Sequence, residues 1–160
     1  MTTQGESIDR IVVGSDGSAQ AESSHRIVVG IDGSAPSAMA LHWAANQASL
    51  TGAALEVVMA WEWPMNYGGG IYFPPEYDPA ADAHTILDEA LVKIRGDYPE
   101  VTIRPIVTEG HPAPRLVDVS RGADLLVVGS RGRGEFAGML LGSASEHCVH
   151  HAECPVTIVR

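Results

Sequence analysis

Five short apolar runs, separated by stretches of helical spacing, dominate the chain from Arg26 onward. Ile27–Ile31 is β-branched and reads as a buried strand. A helix capped by Ser37 and running through Leu50 is expected next, with Leu41, Ala44, Ala45 and Ala48 on one face and Gly52 as its stop. Leu55–Trp61 reads as a second strand, and a Pro- and Gly-rich loop follows from Pro64 to Pro79. Ala83, Ile86, Leu87, Ala90, Leu91 and Ile94 recur at helical spacing, ending near Gly96. Val101–Val107 is a strand interrupted by Pro105, which places it near a sheet edge. A short helix over Pro114–Ser120, a strand at Leu125–Val128, a helix at Ser143–His151 and a last strand at Val156–Val159 complete the pattern. Such alternation implies an α/β fold: a doubly wound five-stranded parallel sheet with helices on both faces.

An internal echo complicates the start of the chain. Arg10–Ala19 returns as Arg26–Ala35, identical except for Ser15 against Ile31. Only Gln20 to His25 separate the two copies, too few residues for a crossover helix, so the echo is not a tandem domain. The second copy is followed by a helical pattern and is taken as structural. The expected organisation is an N-terminal extension over residues 1–25 and one domain over 26–160.

Of the 160 residues, 45% are hydrophobic, and the formal net charge is −10. That balance argues against DNA, RNA or anionic membrane as partner, since each requires a basic face. It does not exclude a small phosphate ligand held by backbone amides. No apolar stretch approaches the roughly 20 residues of a spanning helix, and the polar start is unlike a signal peptide. Two cysteines make no disulfide framework. A cytoplasmic location is the expectation.

The chemistry concentrates after the fourth strand, in Gly129-Ser-Arg-Gly132, nine residues, then Gly142-Ser143. A buried strand delivers Gly129 to the carboxyl edge of the sheet, where ligands bind in open α/β folds. Bare glycines let a phosphate approach backbone N–H groups, and a helix opening at Gly142 and Ser143 adds free amides and its dipole. Ser143 and Ser145 hydroxyls and the Arg131 or Arg133 guanidinium supply further partners. The arrangement reads as an anion cradle built from two pieces of chain. Asp32, at the end of the first strand, suits a ribose hydroxyl, a metal, or the capping of the following helix together with Ser34.

These residues carry a resemblance. The G-x2-G-x9-G-[ST] spacing, the opening Val28-Val29-Gly30-Ile31-Asp32-Gly33-Ser34 and the ending Ser145-Glu146-His147 with Cys154-Pro155-Val156 are similar to the universal stress protein family, from about Arg26 to Arg160. The resemblance implies a Rossmann-like fold related to the adenine nucleotide alpha hydrolases, with strand order 3-2-1-4-5, usually dimeric, and in one branch binding ATP with Mg²⁺. By position, Asp32 would contact the ribose and Ala60 would meet adenine through its backbone. Gly129, Arg131, Gly132, Gly142, Ser143 and Ser145 would surround the phosphates. A homodimer through the last strand is the expected assembly, with a regulatory protein partner of unknown identity.

Rival readings of the same residues are weaker. Walker A chemistry needs a lysine after the glycine loop, and the only lysine is Lys93, inside a helix. Gly132-x-Gly134-x-x-Ala137 follows the wrong strand for a dinucleotide fingerprint. His147, His150 and His151 with Cys148 and Cys154 invite a metal, but these positions suit packing and a helix C-terminus. The aromatic segment from Trp61 to Phe73 begins where adenine would sit and reads as a lid or as packing on the sheet edge or a partner. Trp43 and Met39 read as core or interface. No general base beside the phosphate loop is evident, so no catalytic residue is assigned. The expected function is an ATP-binding stress-response regulator acting through conformation. A slow ATPase or nucleotidyl transferase, a scaffold without nucleotide, and a cyclic AMP binder are the alternatives.

Overall fold

The computed structural model describes residues 25–63, 74, 76–133 and 141–160. The first copy of the echo, the segment 64–73 and the stretch 134–140 lie outside the described residues, as does most of the aromatic lid. Among the described residues nine elements alternate: β1 (Arg26–Ile31), α1 (Ala35–Thr51), β2 (Ala54–Trp61), α2 (Pro79–Asp97), β3 (Ile103–Glu109), α3 (Pro112–Val119), β4 (Leu125–Gly129), α4 (Ser143–His151) and β5 (Val156–Val159). All four strand pairings are parallel, in the order β3-β2-β1-β4-β5. The fold is the five-stranded doubly wound sheet expected from the alternation.

Two apolar layers flank the sheet. Ile27, Val29, Leu55, Val57 and Val127 meet α1 and α2 on one face, where Ala40, Ala44, Ala45 and Ala48 let α1 approach closely. Val28, Val58, Leu126 and Val128 meet α3 and α4 through Leu116 and Cys148. Val28, Val29, Leu55, Val57, Leu126 and Val127 are fully buried, as unbroken apolar strands require when both faces are covered.

Local chemistry moves several element ends. Ser34, not Ser37, caps α1: its hydroxyl oxygen accepts from the Ser37 amide at 3.3 Å. Pro36 fits the first turn, where no amide donor is needed, and Ser37 turns its own hydroxyl back to the Ser34 carbonyl. Asp78 caps α2 by accepting from the amides of Ala80 and Ala81, so that helix begins four residues before the apolar periodicity does. Strand β3 runs Ile103–Glu109 rather than from Val101, which lies in the preceding turn. Pro105 is tolerated within it because β3 is an edge. The Leu55 amide donates to the Thr102 carbonyl, so even-numbered β3 peptides face β2 and Pro105 faces outward.

The edge where the strands begin is tied by charge. Arg26 Nη1 pairs with the largely buried Glu56 at 2.5 Å and donates to the Val119 carbonyl, while Nη2 donates to the Arg121 carbonyl just past α3. Asp124 accepts from the Arg26 amide at 2.7 Å. At the opposite edge, Gly129 is governed by packing. A Cβ there would meet Pro36 C at 2.8 Å, Pro36 O at 2.9 Å and Ser37 N at 3.0 Å, all backbone atoms of the first α1 turn. Gly129→Ala should therefore destabilise the domain by about 1–3 kcal/mol, because neither backbone can yield cheaply. Gly96→Ala, in α2 with open space around its Cβ, should instead stabilise by roughly 0.5–1 kcal/mol. Urea titrations of the two variants against wild type check the contrast.

Candidate functional site

The sheet's carboxyl edge opens between β1 and β4, the point where strand order reverses and crossovers leave on opposite faces. A cavity of about 630 Å³ lies there, and its volume falls within the range of small-molecule sites. Asp32, Ala60, Gly129, Arg131, Gly132, Gly142, Ser143 and Ser145 all line it, bringing together residues spread over more than a hundred positions of sequence. Ser34 supports the lining from behind rather than joining it. Its hydroxyl donates to Asp32 Oδ1 at 2.5 Å and its amide donates to the same oxygen at 2.9 Å.

Asp32 is the fixed point of the cleft. While Ser34 holds Oδ1, the Arg133 amide from the loop after β4 donates to Oδ2 at 2.9 Å, so one carboxylate joins the two walls. Partial burial opposes the charged form. The hydrogen bonds from Ser34, Ser37 and the Arg133 amide outweigh it and hold the carboxyl below its ordinary value of 3.8. Gly132 completes the contact: a Cβ there would meet Asp32 Oδ2 at 2.7 Å. The glycine thus makes room for a carboxylate as well as for any ligand.

The β4–α4 segment is wired more tightly than spacing reveals. The Gly142 amide donates to the Ser130 carbonyl at 2.8 Å, so the open amides at the start of α4 begin with Ser143. A Cβ on Gly142 would lie 3.3 Å from Arg131 Cα and 3.5 Å from Gly132 N, which packs the two glycine turns against each other. The buried Ser145 hydroxyl donates to the Gly129 carbonyl at 2.6 Å, fastening α4 to the end of β4. Exposed Ser143 lines the cavity, and Arg131 and Arg133 bring positive charge to the same lining. The Arg133 guanidinium lies over Gly33, 3.1 Å from where a Cβ would stand.

The other end of the cavity is formed by Val58, Met59, Ala60 and Glu62 from β2 and its exit, and by Pro112 and Leu116 from α3. Ala54 donates from its amide to His25, while the Trp61 carbonyl accepts from Gly110 on the β3 side. Alternation along β2 therefore turns the Ala60 peptide groups toward β1, whose last register pair is Ile31 with Met59. The Ala60 carbonyl projects beyond that pairing. Of this lining, sequence reasoning found only Ala60. Glu62, Pro112 and Leu116 carry no motif, and only the position of α3 beside β2 brings them in. Trp61 and Trp63 point to the opposite side, where Trp63 meets Trp61 and Tyr77 edge-on with centroids 6.2 and 6.3 Å apart.

A family model for the universal stress protein family matches residues 23–160. The chain belongs to that family. Universal stress protein Rv2623 of Mycobacterium tuberculosis is 39% identical over 130 residues, covering 78% of this chain and 41% of its own length. The chain thus spans about two fifths of the curated relatives it matches. Among solved structures, UspA from Lactobacillus plantarum superposes with a TM-score of 0.70 at 21% identity, covering 86% of this chain and 99% of that one. A universal stress protein in complex with cAMP superposes with a TM-score of 0.65 at 30% identity, covering 85% and 96%. The universal stress fold accounts for the strand order, and the switch-point cleft falls where such sheets hold ligands.

Outside the cleft, His147 and His151 stack one turn apart on α4 with ring centroids 4.2 Å apart. Cys148 between them is buried in the core. Burial, and secondarily Cys154, pushes its thiol up to about 11, so it remains a thiol at neutral pH. Among the described residues no three of His, Cys, Asp and Glu group as metal ligands, and no helix is long and apolar enough to cross a membrane. Trp43 is partly buried against the core and Met39 is exposed.

The lowered Asp32 value has a stability consequence of definite sign. Its contribution is complete above the unfolded carboxyl value and is lost as pH falls through the lower folded one. The stability difference between wild type and Asp32→Asn should shrink as pH falls through 3.8 and below. Denaturant midpoints measured across that range check it, and a difference independent of pH would contradict it.

Proposed function

We propose that the switch-point cleft binds an adenine nucleotide, ATP foremost, and that the protein acts as a nucleotide-dependent regulator in a stress response. One observation carries the reading. A single cavity has a hydrogen-bonded carboxylate at its centre, two glycine turns with an open helix N-terminus at one end, and an apolar slot with an outward carbonyl at the other. These chemistries suit, in order, a ribose, a phosphate chain and a base. Gly129 and Ser145 would serve the cradle as scaffold, whereas Gly132, Gly142, Ser143 and Arg131 would meet the phosphates.

Of the two carboxylates in this lining, Asp32 is the one nearer the glycine turns, and both its oxygens already accept hydrogen bonds. Mg²⁺ would accordingly arrive with the triphosphate, held by phosphate oxygens and water, with the Ser143 hydroxyl at hand. The relative in complex with cAMP supports a cyclic nucleotide as the second reading.

Assembly as a homodimer through β5 belongs to the same proposal. Among the described residues strand β5 pairs with β4 alone, and its Val156 and Ile158 peptides face away from β4, since the Leu126 and Ser130 amides donate to Pro155 and Val159. That edge offers a second copy a free ladder. A cytoplasmic setting, a preceding extension over 1–25 and an unidentified protein partner complete the proposal.

Calorimetry with ATP and Mg²⁺ should give saturable binding, and competition with cAMP ranks the two ligands. A flat titration with every adenine nucleotide overturns the reading. Gly142→Val should weaken ATP binding by at least about tenfold, because its side chain is forced against the Arg131–Gly132 turn. Circular dichroism of the variant checks that the fold persists.

A further inference from the structure

We propose that Glu62 selects the nucleobase, accepting the exocyclic amino group of adenine and rejecting purines that carry a keto oxygen there. The inference rests on the nucleotide reading above and adds to it a residue that reads the ligand's identity.

Topology fixes which end of the cleft takes the base. The glycine turns and α4 lie on the β4 side, so a nucleotide anchored there by its phosphates extends across β1 toward β2. At that end the ladder runs out. The Ala60 carbonyl projects past the last β1 pairing, and two residues on, along the same face of the strand, Glu62 lines the cavity. The remaining lining there is Val58, Met59, Pro112 and Leu116, which have apolar side chains.

Glu62 is half-exposed at the rim and has a side-chain partner there. His111, at the residue preceding α3, approaches Glu62 Oε2 with Nδ1 at 2.8 Å. Among the described residues no contact engages Oε1. The pair joins the exit of β2 to the start of α3, and both flanks are set by the core: Gly110 donates its amide to the Trp61 carbonyl at 2.8 Å, and Leu116 is buried. The carboxylate thus stands at the rim with one oxygen paired and, among the described residues, the other without a hydrogen-bond or ion-pair partner.

Donor and acceptor counting then gives the selectivity. A peptide carbonyl and an ionised carboxylate only accept hydrogen bonds. Adenine's amino group presents two N–H donors, one for each acceptor. Hypoxanthine or guanine presents a keto oxygen at the same ring position, a third acceptor facing the first two. At this half-exposed rim, beside an apolar slot, that arrangement sets acceptor against acceptor and a partial negative charge against a full one. A glutamine at this position can turn its amide nitrogen toward the keto oxygen, which removes the conflict.

The test compares AMP with inosine monophosphate, which differ in this substituent and in the proton that N1 carries beside the keto group, by calorimetry on the full chain. Wild type should prefer AMP by at least about tenfold, the worth of one charge-assisted hydrogen bond. Glu62→Gln should bring the two affinities within a few-fold by strengthening the inosine nucleotide. Glu62→Ala should weaken AMP without that gain. An AMP preference of unchanged size in Glu62→Gln, or equal binding of both nucleotides by wild type, overturns the role of Glu62 and leaves nucleotide binding standing. Binding of neither nucleotide by wild type overturns both.

Discussion

The missing side chain at Gly129 allows the backbone of the first α1 turn to cross the end of β4 at contact distance. Everything in the cleft follows from that approach. It brings the Asp32–Ser34 turn, which leads into α1, beside the loop that leaves β4, so that Asp32 can receive the Arg133 amide. It also directs the Gly129 carbonyl to Ser145, and through that hydroxyl fixes where α4 begins. One close packing contact between a helix and a strand thus positions a carboxylate, a turn and a helix terminus at once. Such packing resists gradual deformation, because interiors are already dense.

Charge is distributed in keeping with this division of labour. The net −10 of the whole chain arises in residues 1–25 and 56–109, whereas residues 110–160 carry equal numbers of acids and bases. Arg131 and Arg133 therefore act in a locally neutral wall. The acidic middle of the chain supplies Glu56, neutralised by Arg26 at the far edge, and Glu62 at the rim. A phosphate chain directed toward β4 and a base directed toward β2 would each meet the electrostatics that suit it.

The sheet was legible because unbroken β-branched runs between helical patterns have few alternatives to a covered parallel sheet. Less visible were boundaries set by single hydrogen bonds. Ser34 and Ser37 are equally good caps by residue type, and only the placement of Pro36 and the Asp32 side chain decides between them. The cradle glycines stand out by spacing, yet spacing does not reveal that Gly129, which lines the cavity, also makes room for the first turn of α1. Ser145 likewise looked like a phosphate contact and has its proton committed to a carbonyl. Glu62 was silent because its significance arises from β2 and α3 meeting in space, and neither element carries a motif that mentions the other.

Strands that all run the same way give the domain a polarity of attachment. His25 stands at the edge where Arg26, Glu56 and Asp124 are tied together, the full length of β1 away from the cleft. Val159 pairs with Gly129, and its carbonyl accepts the Ser130 amide, so Arg160 stands at the carboxyl edge of the sheet, the edge at which the cleft opens. A probe coupled at Arg160 would therefore sit at the edge where the cleft opens, while one coupled at His25 would be separated from it by the length of the strands. The same polarity means that tension applied between the two ends would load β1 and β5 in shear across β4, rather than peel the cleft open.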